Sequence, residues 1–190
     1  MPSEVEICSD ALGLLGEDPI TSFDDATKKA RLCNRFYPQV RDAVLRAYPW
    51  RCAIALQVLS QLAGTDVLTG TSYSNTYQLP VNPYCLRALL LNNDKYILWE
   101  VIGRKLVTDE SAVTLKYIAR ITEPGYFDSL LIDTIVTRLA QQLAYPITGN
   151  PAMVKVLLEL YSYKLSEARS IDSMEGSLDT YDSDDLLEVR

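Results

Sequence analysis

At 190 residues, 48% of them apolar, the chain is long enough for one ordinary domain, or two small ones sharing a core, and too apolar to be disordered. No stretch approaches the roughly 18 uninterrupted apolar residues of a membrane helix. The N-terminal Met-Pro-Ser-Glu-Val-Glu lacks the basic-then-apolar run of a secretion signal, which predicts folding in a cytoplasm. A net charge of −7 has the wrong sign for a protein that grips DNA by releasing counterions.

The first element predicted is a helix over Ser3–Leu15. Ser3 is its cap, and Glu6 stands at the capping-box position three residues on. Gly16 is its stop, and 17–22 form a turn. A long amphipathic helix follows from Asp24 to Trp50, with Asp24 as cap. Its apolar stripe is Ala26, Ala30, Cys33, Tyr37, Val40, Val44, Ala47 and Tyr48, recurring every three to four residues. Lys28, Arg31, Arg35 and Arg46 fall on another side. Pro38 predicts a kink or restart, and Pro49 the end.

After Trp50 the period shortens. Cys52, Ile54, Leu56, Val58 and, one slip later, Leu59 approach the alternation of a strand. Residues 64–76 hold a long surface loop rich in Gly, Thr and Ser. Tyr77–Tyr84 is extended, because two prolines forbid helix. Strands are expected at Cys85–Leu91, Lys95–Ile102, Lys105–Thr108 and Ala112–Thr122, with turns at Asn92-Asn-Asp and Ile102-Gly-Arg. Residues 51–122 therefore read as a small antiparallel β unit.

Helical spacing returns at Tyr126 and runs to Pro146, apolar on most of its circumference, as befits a central helix. Asn150 and Pro151 open the next helix. Val154, Leu157, Leu158, Tyr161, Leu165 and Ala168 form a stripe whose full burial would contribute on the order of 10 kcal/mol before entropy is subtracted. From Glu167 onward there are eight acids and two arginines. The last part, 176–190, is expected to be an extended acidic tail that cannot fold alone. Leu178, Tyr181, Leu186, Leu187 and Val189 are anchors that a partner could take; a plain solubilising tail is the alternative.

The fold class expected is α+β: an antiparallel bundle of about four helices from 1–50 and 123–175, an inserted β unit at 51–122, and the tail.

Chemistry-bearing motifs are scarce. There is no histidine, which removes the commonest general base. Cys8, Cys33, Cys52 and Cys85 are far apart in sequence and read as small buried hydrophobes, not as a metal or disulfide framework. No phosphate-binding glycine loop and no Gly-x-Ser-x-Gly occurs. The pairs Glu17-Asp18, Asp24-Asp25 and Asp184-Asp185 read as solvated charge, since a glycosidase-like pair needs carboxyls from separate elements facing a cleft. The chain's 12 tyrosines suit interfaces and cores equally. No catalytic residue, cofactor or metal is expected.

Several stretches, in order, carry a resemblance: Ala11-Leu-Gly-Leu-Leu-Gly, Ile20-Thr-Ser-Phe-Asp-Asp, Arg41-Asp-Ala-Val-Leu-Arg-Ala-Tyr-Pro-Trp, Leu79-Pro-Val-Asn-Pro-Tyr-Cys-Leu-Arg, Trp99-Glu-Val-Ile-Gly, Lys105-Leu-Val-Thr-Asp-Glu, Leu115-Lys-Tyr-Ile-Ala-Arg-Ile-Thr-Glu-Pro-Gly-Tyr-Phe-Asp and Ala168-Arg-Ser-Ile-Asp-Ser-Met-Glu-Gly. Together they resemble the head-to-tail adaptor (connector) proteins of tailed bacteriophages, the tail tubular protein A-like family. Asn82 stands where that family often has an acid.

The resemblance implies a structural virion protein at the head–tail junction. It would form a ring of about twelve copies, joined to the portal protein on one side and a downstream tail or nozzle protein on the other. Genomic DNA would pass through without sequence-specific binding, and no membrane is involved. The candidate subunit or portal interface comprises Lys28, Arg31, Arg35, Arg46, Leu178, Tyr181, Leu186, Leu187 and Val189. Two other classes stay open on the residues: an intracellular protein-binding regulatory module, and a carboxylate-dependent hydrolase.

Overall fold

The computed structural model describes residues 2–63 and 67–175. Its first helix, α1 (Glu4–Gly13), carries the expected capping box: the Glu6 N–H donates to the Ser3 hydroxyl at 3.1 Å, and the Ser3 N–H to the Glu6 carboxylate at 2.6 Å. Gly16 takes φ +74°, where a Cβ would be strained.

The second helix, α2, spans Lys28–Ala47 with Thr27 as its cap, the Thr27 hydroxyl accepting from the Ala30 N–H. The expected start at Asp24 is thus corrected. The reason lies in Asp25, whose carboxylate accepts from the Thr21 and Ser22 N–H groups at 2.9 and 3.1 Å and closes the preceding turn. Nor does Pro38 break the helix, which is continuous through it. Pro38 is exposed, so its ring and the one lost hydrogen bond are accommodated on the solvent side.

Among the described residues, six strands follow in two three-stranded antiparallel sheets. β1 (Ile54–Leu59), β6 (Val113–Ala119) and β3 (Cys85–Leu91) form one, in the order β1-β6-β3; β2 (Asn75–Gln78), β5 (Lys105–Thr108) and β4 (Trp99–Ile102) form the other, in the order β2-β5-β4. Asn92 and Asn93 both have positive φ in the turn after β3, and Gly103 has φ +63° between β4 and β5. Lys95–Leu98 is not strand, which shortens the expected element to its last four residues, and Cys52 lies in a 3-10 turn before β1. The alternation in β1 also reads differently in space. β1 pairs on one side only, with β6, and Leu56 and Val58 are 68% and 73% exposed.

Helix α3 (Ser129–Thr148) is capped by Asp128 and ends at Gly149, φ +67°, so Pro146 sits in its last turn instead of ending it. Helix α4 (Pro151–Met174) begins as expected, with the Asn150 side chain accepting from the Ala152 N–H. α3 packs against α1, α2 and α4, the central position that its apolar circumference requires. On α4 only Leu157 and Ala168 are fully buried, and Leu158 is 46% exposed. The stabilisation expected from six buried side chains there is overstated.

Two apolar clusters result. One joins the helices to Trp50, Leu86 and Ile118; the other lies between the sheets and includes Tyr77, Cys85, Leu106, Leu115 and Tyr117. Cys85 and Leu86 thus face opposite cores, as do Tyr117 and Ile118, because successive strand residues point to opposite faces.

Pro38→Ala supplies the missing backbone donor to a continuous helix and is expected to raise the unfolding free energy in urea by about 1–3 kcal/mol. The Thr21 and Ser22 N–H groups hold the Asp25 carboxyl below its usual 3.8. Its contribution to stability is therefore present above that pH and lost as pH falls through the lower folded value. Asp25→Asn should remove that contribution, lowering stability in the neutral region and flattening the acid limb of the stability–pH curve below about pH 4, as read by urea unfolding across pH.

Candidate functional site

The four basic residues expected on one face of α2 have different surroundings. Lys28 lies 18 residues from Arg46, a separation of about 27 Å along the helix. Lys28 is already engaged, its ammonium donating to the Pro146 carbonyl of α3. Arg31 and Arg35 are exposed, and the Arg35 guanidinium lies 5.7 Å from the centre of the Phe36 ring. Arg46 is separate, in the last turn of α2, donating to the Leu86 carbonyl of β3. The expected anchors Leu178, Tyr181, Leu186, Leu187 and Val189 lie outside the described residues.

Around Arg46 the fold gathers three arginines that sequence reading passed over. Arg87 comes from β3, Arg104 from the turn between β4 and β5, and Arg120 from the residue just after β6. With Asp42, Tyr84 and Trp99 they line a cavity of about 600 Å³. Tyr84 is held between two guanidinium groups, Arg104 at 4.0 Å and Arg120 at 4.3 Å from its ring centre. Such contacts contribute about 0.5–2 kcal/mol each, depending on how dry they are.

The arginines are placed mostly by backbone. Arg104 donates to the carbonyls of Cys85 at 2.7 Å and Pro80 at 2.8 Å. Arg87 donates to the Arg46 carbonyl at 3.4 Å, and among the described residues only Arg120 of the four has a carboxylate partner, Asp42, at 2.7 Å. A carbonyl orients a guanidinium without cancelling its charge. Four arginines against one aspartate leave this wall at +3 in a chain of net charge −7, a local excess of positive charge that attracts anions.

The same aspartate ties the site to the helical core. Asp42 also accepts from the Arg41 guanidinium at 3.0 Å, and Arg41 reaches Glu4 of α1 at 3.6 Å. Arg41 is only 6% exposed, and its guanidinium lies 5.8 Å from the centre of the Tyr37 ring. Burial, with Glu4 nearby, pushes the Tyr37 hydroxyl well above its ordinary range. Arg41 carried no distinguishing signal in the sequence: it falls beside the apolar stripe of α2 like any exposed arginine.

Three of the four cysteines are buried as expected, but Cys52 is exposed. Cys8 and Cys33, 25 positions apart in sequence, meet in the helical core; the hydrogen bond between them and their burial raise the Cys8 thiol. Of the carboxylates expected to be solvated, the Asp18 side chain is 99% exposed, and Glu17 lies 2.6 Å from Lys29. Asp184-Asp185 lies outside the described residues. Among the described residues, no group of three or more His, Cys, Asp or Glu side chains is placed to hold a metal ion, and no helix is long and apolar enough to cross a membrane.

Replacing Arg41 by Ala would leave Glu4 without its buried partner and open a gap beside Tyr37. Arg41→Ala is expected to cost about 3 kcal/mol in urea unfolding, whereas Arg31→Ala, on the exposed face, should change stability by no more than about 0.5 kcal/mol.

In comparisons with known proteins, no family model and no curated protein matches the chain.

Proposed function

We propose that the chain is a structural adaptor of a tailed-phage virion, assembling side to side into a ring of about twelve copies between the portal and the next tail component. In this reading the helices form an antiparallel bundle that builds the ring wall, the β unit is an insertion facing the tail, and segment 176–190 extends toward the portal. DNA passes through the centre without being read.

The observation that carries the proposal is the exposure of large apolar side chains on two unlike surfaces. Leu56 and Val58 stand 68% and 73% exposed on the edge strand β1, while Val156 and Tyr163 stand 60% and 65% exposed on α4. Apolar side chains grouped on the surface of a folded chain mark contact sites. Two different patches suit the head-to-tail contacts of a ring, where a two-fold dimer would use one patch twice. The order of sequence stretches resembling phage adaptors supports the same reading. So does the net charge of −7, since a lumen that repels a polyanion lets it slide.

Purified protein mixed with portal particles should give, in averaged electron micrographs, a rotationally symmetric ring beneath the portal. Leu56→Asp with Val58→Asp should weaken ring formation by roughly tenfold or more with an unchanged unfolding midpoint. Removal of 176–190 should weaken attachment to the portal while the fold persists. A protein that stays monomeric or dimeric in the presence of portal would end the proposal.

A further inference from the structure

We propose that the arginine-lined cavity is the docking site of the chain's own acidic segment 176–190 before assembly, an internal contact independent of whether the protein forms a ring. Three observations converge on this occupant.

The first is unused donor capacity at the cavity rim. Arg46 commits one terminal nitrogen to the Leu86 carbonyl, and Arg87 one to the Arg46 carbonyl. A guanidinium has five N–H donors, so each rim arginine keeps donors in the geometry that a carboxylate takes two at a time. Asp42, the one acid among the described residues lining the cavity, is already shared by Arg41 and Arg120. The site therefore favours carboxylates from elsewhere.

The second is where the described chain ends. Arg51 donates its backbone N–H to the Asp172 carboxylate at 3.1 Å and its Nε to the Asp172 carbonyl at 3.0 Å. Arg169 donates to the Ala47 carbonyl at 3.5 Å, and the Tyr48 hydroxyl to the Arg169 carbonyl at 3.4 Å. The last turns of α4 are thereby fixed beside the end of α2, one residue from Arg46. Fifteen residues follow position 175, with a reach of up to about 50 Å when extended. The cavity lies well within that reach.

The third is composition. Segment 176–190 offers Asp179, Asp182, Asp184, Asp185 and Glu188 against a single Arg190, interleaved with Leu178, Tyr181, Leu186 and Leu187. Carboxylates suit the arginine rim, and the apolar side chains suit Trp99 and the exposed Val101 in the cavity wall. A nucleic acid phosphate would meet the same cations, but the chain's overall charge opposes it. An attached segment also avoids most of the cost of bringing two molecules together.

The test is chymotryptic cleavage within 176–190 in the full-length protein. At low salt, cleavage after Tyr181 should be slow. Arg46→Gln combined with Arg87→Gln should accelerate it roughly fivefold or more, as should about 0.5 M NaCl, with an unchanged urea midpoint. Should the arginine variant fail to fold, the full-length chain with Asp179, Asp182, Asp184 and Asp185 changed to Asn leaves the cavity intact and must show the same acceleration. Equal rates in wild type and the folded variants would overturn the proposal. Protection that grows with protein concentration would also overturn it, because the occupant would then belong to a second copy.

Discussion

The fold depends on one constraint: strands β3 and β6 must serve two cores at once. A strand turns successive side chains to opposite faces, and both strands use this fully. Cys85, Leu115 and Tyr117 close the space between the two sheets, while Leu86 and Ile118 close the space under the helices. A shift of one residue in the register of either strand would send each set to the wrong side. The register of β6 against β1, from Ile54 opposite Ile118 to Leu59 opposite Val113, holds without interruption, whereas β3 against β6 shifts twice. Those irregularities fall on the strand that carries Arg87.

The arginine cavity is a product of that seam. Arg87 follows Leu86, whose side chain goes to the helical core and whose carbonyl accepts from Arg46. Arg120 follows the last residue of β6, and Arg104 is brought over by the β4–β5 turn. Positive charge accumulates there because backbone carbonyls, which are numerous at strand ends, orient the guanidinium groups without supplying a neutralising acid. Arginine suits the role better than lysine: its planar fork holds two carbonyls, as Arg104 does with Cys85 and Pro80, and still stacks on a ring. Its charge also persists at any physiological pH.

The surface divides in the opposite sense. Where the seam is charged and set by hydrogen bonds, β1 and α4 present exposed apolar side chains. An edge strand with exposed apolar side chains is a liability in a lone molecule and an asset in one that assembles. The charged seam and the apolar faces lie on different elements of the chain.

Local elements were legible in the sequence wherever a local cause decides them. The Ser3–Glu6 box, the left-handed Gly16, the Asn150-Pro151 start and the β5 boundaries depend on residues within a few positions of one another, so spacing and residue type suffice. Errors arose where two local signals competed: Asp24 against Thr27 for the cap of α2, or the breaking tendency of Pro38 and Pro146 against a helix held by its packed face. What only the tertiary structure decided is which residues from distant elements share a space. The burial of Arg41, the meeting of Cys8 with Cys33, the division of one β unit into two sheets and the convergence of Arg46, Arg87, Arg104 and Arg120 leave no periodic trace in the chain. Each depends on packing across dozens of intervening residues, and residue spacing along a chain reports only which face a side chain occupies, not what that face will meet.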